Sequence, residues 1–196
     1  MKYLIALLML ISVNVSASVD KWFDYAAKEV GVDKTLLYTF AFKESSFRPR
    51  KSNNSSATGL FQFKEQTYRW LLYKYGNDYE GLAMDADIND LFTQTMLSAI
   101  YIRRNQASLK DYLKREPTMG ETYMTHLLGL SGTKRLLGAK LDLPASTILT
   151  YAYSGNKKWF VTSSGKHRTV SQFRDNLNYH IKQIYGNFAN NHSVDI

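Results

Sequence analysis

Apolar residues recur at spacings of three and four along most of this chain, and that rhythm restricts it to helices packed on helices. Trp22, Phe23, Ala26 and Val30 fall on one helical face. Gly31 is placed to end that helix and Asp33 to cap the next, which runs through Leu36, Leu37, Phe40 and Ala41 to Glu44. After Pro49 the polar run from Arg50 to Ser56 has loop chemistry. Tyr68, Leu71, Leu72 and Tyr75 mark a third helix, with Gly76 as its stop. Asp87 is the expected N-cap of a long helix presenting Ile88, Leu91, Phe92, Met96, Ala99 and Ile102. Thr118-Met119-Gly120-Glu121 has capping-box order and opens a short helix ending near Gly129, with a further turn or two over Thr133 to Leu137. Pro144 suits a first helical position in a segment reaching Tyr153. Thr169, with Gln172 three residues on, caps a final helix through Val170, Phe173, Leu177, Ile181 and Ile184. No segment alternates as a hairpin strand does, so the expected fold is all-α, or α+β at most by a small hairpin.

The first residues set the compartment. Met1 and Lys2 give a positive start, Tyr3 to Val13 is nearly all apolar, and Val15-Ser16-Ala17 offers a cleavage site, so residues 1–17 read as a secretory signal peptide. An uncleaved anchor is the alternative. Later runs fall short of the roughly 18 apolar residues of a membrane span, so no stable span is expected once the signal is removed. Residues 18–196 suffice for one compact domain, without linker tracts or repeats. The chain has no cysteine, which excludes disulfides, a thiolate nucleophile and thiolate metal sites. Its 25 Lys and Arg against 17 Asp and Glu suit an anionic polymer. In an exported protein that polymer is cell wall rather than nucleic acid, although the same charges serve equally to keep a surface solvated.

Glu44 is the first chemical candidate. A carboxyl at the end of the apolar run Leu36 to Phe42 is partly desolvated, which raises its pKa toward that of a general acid. Ser45 and Ser46 follow it as hydrogen-bonding groups. By itself the pattern equally describes a solvated glutamate at a helix end. The second candidate is Ser55-Ser56-Ala57-Thr58-Gly59-Leu60-Phe61-Gln62-Phe63. Small polar residues and a glycine let a sugar approach the backbone, and Gln62 among aromatics offers a donor and an acceptor. The alternative is a glycine-containing loop entering a helix. His126, His167, His180 and His192 show no ligand spacing, so neither a metal nor another cofactor is expected.

Together the two segments resemble the paired signature of lytic transglycosylases with the lysozyme-like fold, the soluble lytic transglycosylase or SLT-domain group. The common second motif is Gly-Ala-x-Gly-Leu-Met-Gln; here Ser56 stands at the first glycine and Phe61 at the methionine. Tyr123 to Gly129, with Gly132 and Leu136-Leu137 after it, resembles the later motif in a His-x-x-Gly form, with His126 where tyrosine is usual. Tyr151 to Phe160, with Asn156, resembles the segment beyond. The resemblance spans roughly Asp33 to Tyr185 and implies a single lysozyme-like helical domain with a substrate groove.

It also implies the chemistry. Glu44 is the catalytic acid/base, and Ser45, Ser55, Ser56, Gln62, Tyr123, His126, Tyr153 and Asn156 are the substrate-binding candidates. The reaction it implies cleaves the MurNAc-GlcNAc β-1,4 bond of peptidoglycan strands and leaves 1,6-anhydro-MurNAc ends. A monomer in the periplasm or outside the cell is expected, with wall remodelling, a secretion or conjugation apparatus, and attack on a competitor's wall all open as contexts. Most glycosidases use two carboxylates. Glu65 reads as an exposed helix start and Asp87 as a cap, so the missing partner favours the internal reaction. A hydrolytic muramidase and a non-catalytic wall-binding assembly module remain the alternatives.

Overall fold

The computed structural model describes residues 17–52 and 56–192. The expected signal peptide lies outside this range except for Ala17, which opens α1. The helices are α1 (Ala17–Val30), α2 (Lys34–Ser45), α3 (Glu65–Tyr75), α4 (Leu91–Leu113), α5 (Met119–Leu137), α6 (Ala145–Ile148), α7 (Thr150–Tyr153), α8 (Lys157–Phe160) and α9 (Val170–His192). Between α2 and α3 lies an antiparallel sheet of β1 (Arg50–Lys51), β2 (Ala57–Gly59) and β3 (Phe63–Lys64). The mostly helical fold with one small β element is the expected one. Among the described residues no helix is long and apolar enough to cross a membrane.

The arrangement follows from which helices are apolar all round. In α2 the six consecutive residues Leu36 to Ala41 are buried, so neighbours cover it on every side rather than along one stripe. In α4 the run Thr93 to Ile100 is buried in the same way. The more amphipathic helices pack around these two: α1 lies on α4 and α2, and α9 closes against α2 and α5. Phe23 of α1 stacks on Tyr38 of α2 with ring centroids 4.5 Å apart, and both are fully buried. Burying side chains of this size stabilises by about 1.5–3 kcal/mol each. Glu44 is therefore carried to the end of a helix that runs through the core.

Most termini are where the cap residues put them. Asp33 accepts from the Thr35 amide at 2.7 Å, and Thr118 and Glu121 form a complete capping box at the start of α5. Thr169 and Gln172 exchange the same pair of bonds before α9. Glu121 also takes both guanidinium nitrogens of Arg115, at 2.7 and 2.8 Å, and one of Arg174 at 3.3 Å. Burial opposes its charge, but the Arg115 bonds, the Thr118 amide and the nearby Arg174 outweigh it and bring the carboxyl to about 2. The Arg174 contact ties α5 to α9.

Three local expectations are revised. The long helix starts at Leu91 rather than Ile88, because Asp87 turns back on the Asn89 amides and Asp90 takes the capping role, accepting from the Thr93 amide at 2.7 Å. Arg50 and Lys51, expected in a loop, pair with Gly59 and Thr58. Pro144 is an N-cap rather than a first helical residue, and the segment after it divides at Leu149 into α6 and α7. The break expected near Gly129 is present inside α5, where that glycine has φ 71° and ψ 160°.

The sheet is anchored by a residue that sequence reasoning passed over. The side chain of Gln94, fully buried in α4, accepts from the Phe61 amide at 3.0 Å and donates to the carbonyls of Thr58 and Ile88. A Cβ at Gly59 would lie 1.7 Å from the Gln94 amide nitrogen. Glycine is required here by space as well as by its φ of 83°.

Candidate active site

At the end of α2 the backbone turns sharply: Ser46 and Phe47 both hold left-handed φ values, 53° and 57°, and Gln62 across the cleft holds 50°. Non-glycine residues in this region cost of order 1 kcal/mol or more, and such strain concentrates at functional sites. The turn leaves the Glu44 side chain 16% exposed. The Tyr123 hydroxyl donates to Glu44 Oε1, and His126 Nε2 stands 3.5 Å from the same oxygen. Tyr123 and His126 are three residues apart on α5 and so share a face.

The electrostatics of this cluster differ from the expectation for a lone desolvated acid. Burial does press the Glu44 pKa upward, but the charge of His126 and the bonds from His126 and Tyr123 outweigh it, leaving the carboxyl below its usual value. Burial disfavours the imidazolium in turn, and Glu44 overrides that and lifts His126 above 6.5. Tyr123 is driven well above its usual value by burial and by the adjacent carboxylate. Both shifts favour a carboxylate–imidazolium pair, which the free protein holds below the raised His126 pKa. Rings of Phe40, Phe63, Tyr101 and Tyr123 surround His126 at centroid distances of 6.0 to 6.5 Å and supply the apolar burial that Glu44 overrides.

His126 joins this cluster to a cavity of about 490 Å³. Gln62, Lys64 and Thr67 form one wall, Leu127 to Gly129 another, and Tyr151 and Asn156 a third. A cavity of this size, part aromatic and part polar, suits saccharide rings with their hydroxyl and acetamido groups. Among the described residues, no carboxylate lines it.

Residues 21–113, which span most of α1 through α4 and include both Glu44 and Gln62, match the family model of the transglycosylase SLT domain. Those residues carry a transglycosylase SLT domain. Enzymes of the SLT domain family are lytic transglycosylases acting on peptidoglycan, and this is the activity the domain supplies. The SLT match ends with α4, whereas Tyr123, His126, Tyr151 and Asn156 come from α5 onward. The cleft is therefore built between the SLT segment and the helices that follow it.

The expected site residues are distributed unevenly around this cleft. Glu44, Tyr123 and His126 meet directly, and Gln62 and Asn156 line the cavity beside His126. Gln62 donates to the carbonyls of Arg50 (2.7 Å) and Gly59 (2.8 Å), so its amide nitrogen holds the sheet in place. The Ser45 hydroxyl is buried and donates to Ala41 O one turn back, away from the cavity. Tyr153 stacks on His167 and abuts Phe160, and the tyrosine in the wall is Tyr151, whose hydroxyl donates to Leu128 O. Ser56 is exposed and outside the cavity lining, and Ser55 lies outside the described residues. Sequence reasoning missed Lys64, Thr67 and Tyr101 in the lining. Their proximity to Phe63 and their helical register are signals too general to have singled them out.

Proposed function

We propose that the protein is an exported lytic transglycosylase that cleaves the MurNAc-GlcNAc β-1,4 bond and leaves 1,6-anhydro-MurNAc ends, with Glu44 as acid and then base. The observation that carries the reading is the Glu44–Tyr123–His126 cluster, a single carboxylate opening through His126 onto a saccharide-sized cavity. Glu44 gives its proton to the glycosidic oxygen as the C1–O bond breaks, and the neighbouring acetamido group shares the positive charge. The carboxylate then takes the proton of the muramyl C6 hydroxyl as that oxygen closes on C1. A group already held on the same ring has a large proximity advantage over water. Export is supported by the basic-apolar start of the chain, and a secretion or conjugation apparatus is one setting that a wall-opening enzyme fits. Mass analysis of fragments from purified peptidoglycan tests the reaction: ends one water lighter than hydrolytic products are expected, and ordinary reducing ends would establish a muramidase instead.

The acid step requires the proton to reside on Glu44, whereas the lowered Glu44 and raised His126 pKa values favour His126 as its holder in the free protein. Filling the cavity removes water, disfavours separated charges and moves the proton from Nε2 to the carboxyl. Below the raised His126 pKa the pair carries the proton it needs; as pH rises through that value the proton is lost and cleavage falls. In His126→Gln only Glu44 can hold it, so the alkaline limb of the kcat/KM profile moves to lower pH. An alkaline limb unchanged in that variant would exclude His126 from the proton path.

A further inference from the structure

Beside the cleft lies a group of basic side chains that the reaction does not use. Lys43, the residue before Glu44, is half-buried with its Nζ 4.7 Å from the centre of the buried Trp159 ring, and Lys158 Nζ lies 5.8 Å from the same ring. His180 meets Trp159 edge-on at 5.7 Å. Arg168 donates to the carbonyls of Lys158, Trp159 and Val161, which holds its guanidinium against the same short helix. Two lysines and a histidine thus meet one indole from α2, α8 and α9, and Arg168, from the segment before α9, is held on the backbone of the same short helix. None of the four forms a salt bridge with a carboxylate among the described residues.

The repulsion in this group is felt. Burial and the charge of Lys158 hold Lys43 below its usual pKa against the opposing pull of Glu44, and burial with Lys43 and Arg168 holds His180 down. Contact with the indole offsets part of that cost. An anion placed among the four would offset more of it.

The position of the group identifies the anion. The cavity wall ends at Asn156, and α8 with Lys158 and Trp159 begins at the next residue. Lys43 stands one residue before Glu44, close enough for the two charges to interact. A glycan strand leaving the cleft past Asn156 therefore carries the substituents of its muramyl units toward these cations.

We infer that Lys43, Lys158, Arg168 and His180 form a carboxylate-binding site flanking the cleft, which recognises the acidic 3-O substituent of muramyl residues. The inference rests on the peptidoglycan reading of the cleft. Two sources supply the carboxylate: the lactyl group itself where no peptide is attached, and the carboxylates of the stem peptide where one is.

Binding without turnover separates this proposal from the reaction. The protein and a Lys43→Met/Lys158→Met variant, which keeps the aliphatic stems over Trp159, are sedimented with three insoluble glycan preparations. These are peptide-bearing peptidoglycan, strands stripped to the lactyl carboxylate by an amidase, and peptidoglycan whose carboxylates have been converted to methylamides. On the strands that present the recognised carboxylate the variant is expected to bind roughly three- to tenfold more weakly at low salt, the effect of two partly exposed charge pairs. On methylamidated strands the two proteins should bind alike. A difference on stripped strands assigns the site to the lactyl group, whose carboxylate is free only once the peptide is removed, and one confined to peptide-bearing strands assigns it to the stem peptide. Equal binding to both the peptide-bearing and the stripped strands, or equal weakening on methylamidated ones, would overturn the proposal. Reducing ends in the product assay would refute the transglycosylase reaction and leave this result standing.

Discussion

Glu44→Gln is expected to lower peptidoglycan cleavage by about 10³-fold or more, the scale of losing a positioned general acid and base, while binding and folding persist. The amide keeps the shape of the carboxyl and still accepts from the Tyr123 hydroxyl, so the contact between α2 and α5 survives. It cannot carry the proton, and without the carboxylate His126 has no partner to raise its pKa. The check is initial rate of wall digestion alongside near-ultraviolet circular dichroism and binding to insoluble peptidoglycan. Turnover near the wild-type rate in a folded variant would remove Glu44 from the mechanism.

Gly59→Ala should have the largest effect on stability. The added Cβ would strike the Gln94 side chain, which is fully buried and holds the turn between β2 and β3 through Thr58 and Phe61. Moving Gln94 leaves buried polar groups unpaired, and with the strain of an alanine at positive φ the cost is about 3 kcal/mol. For a domain of this size that lowers Tm by roughly 6–12 °C. Activity should fall as well, since Gln62 is tied to the Gly59 carbonyl. Gly31→Ala is the control: Gly31 has φ 73° but open space around it, so strain alone acts there. Equal effects at the two positions would show that crowding against Gln94 is not what fixes the sheet.

These variants also mark where sequence was informative. Helix identity and most termini follow from local chemistry, as at Asp33, the Thr118–Glu121 box and the Thr169–Gln172 box, because caps act over a few residues. Asp87 and Asp90 show the limit: two competing cap residues lie three apart, and the choice depends on Asn89 drawing Asp87 into a turn of its own. The sheet was less legible, since strands of two or three residues carry no periodicity and depend on Gln94, whose partners lie six to 36 residues away.

The same distinction runs through the site. Glu44 could be singled out from its apolar approach and the following motif. The direction of its pKa could not, because the imidazolium and hydroxyl that reverse the effect of burial arrive from α5, some 80 residues later in the chain. Tyr151 and Tyr153 are indistinguishable by composition, and only the turn after α6 decides that the first faces the cavity and the second stacks on His167. Ser45 resembles a ligand in sequence, but its hydroxyl bonds back along its own helix, as buried serines in helices commonly do.

Digestion of purified peptidoglycan in water enriched in heavy oxygen tests the central claim most directly. If Glu44 directs the muramyl C6 hydroxyl onto C1, every new end is an anhydro sugar without label. Heavy oxygen at C1 of the new ends would show that water is the nucleophile and would contradict the account.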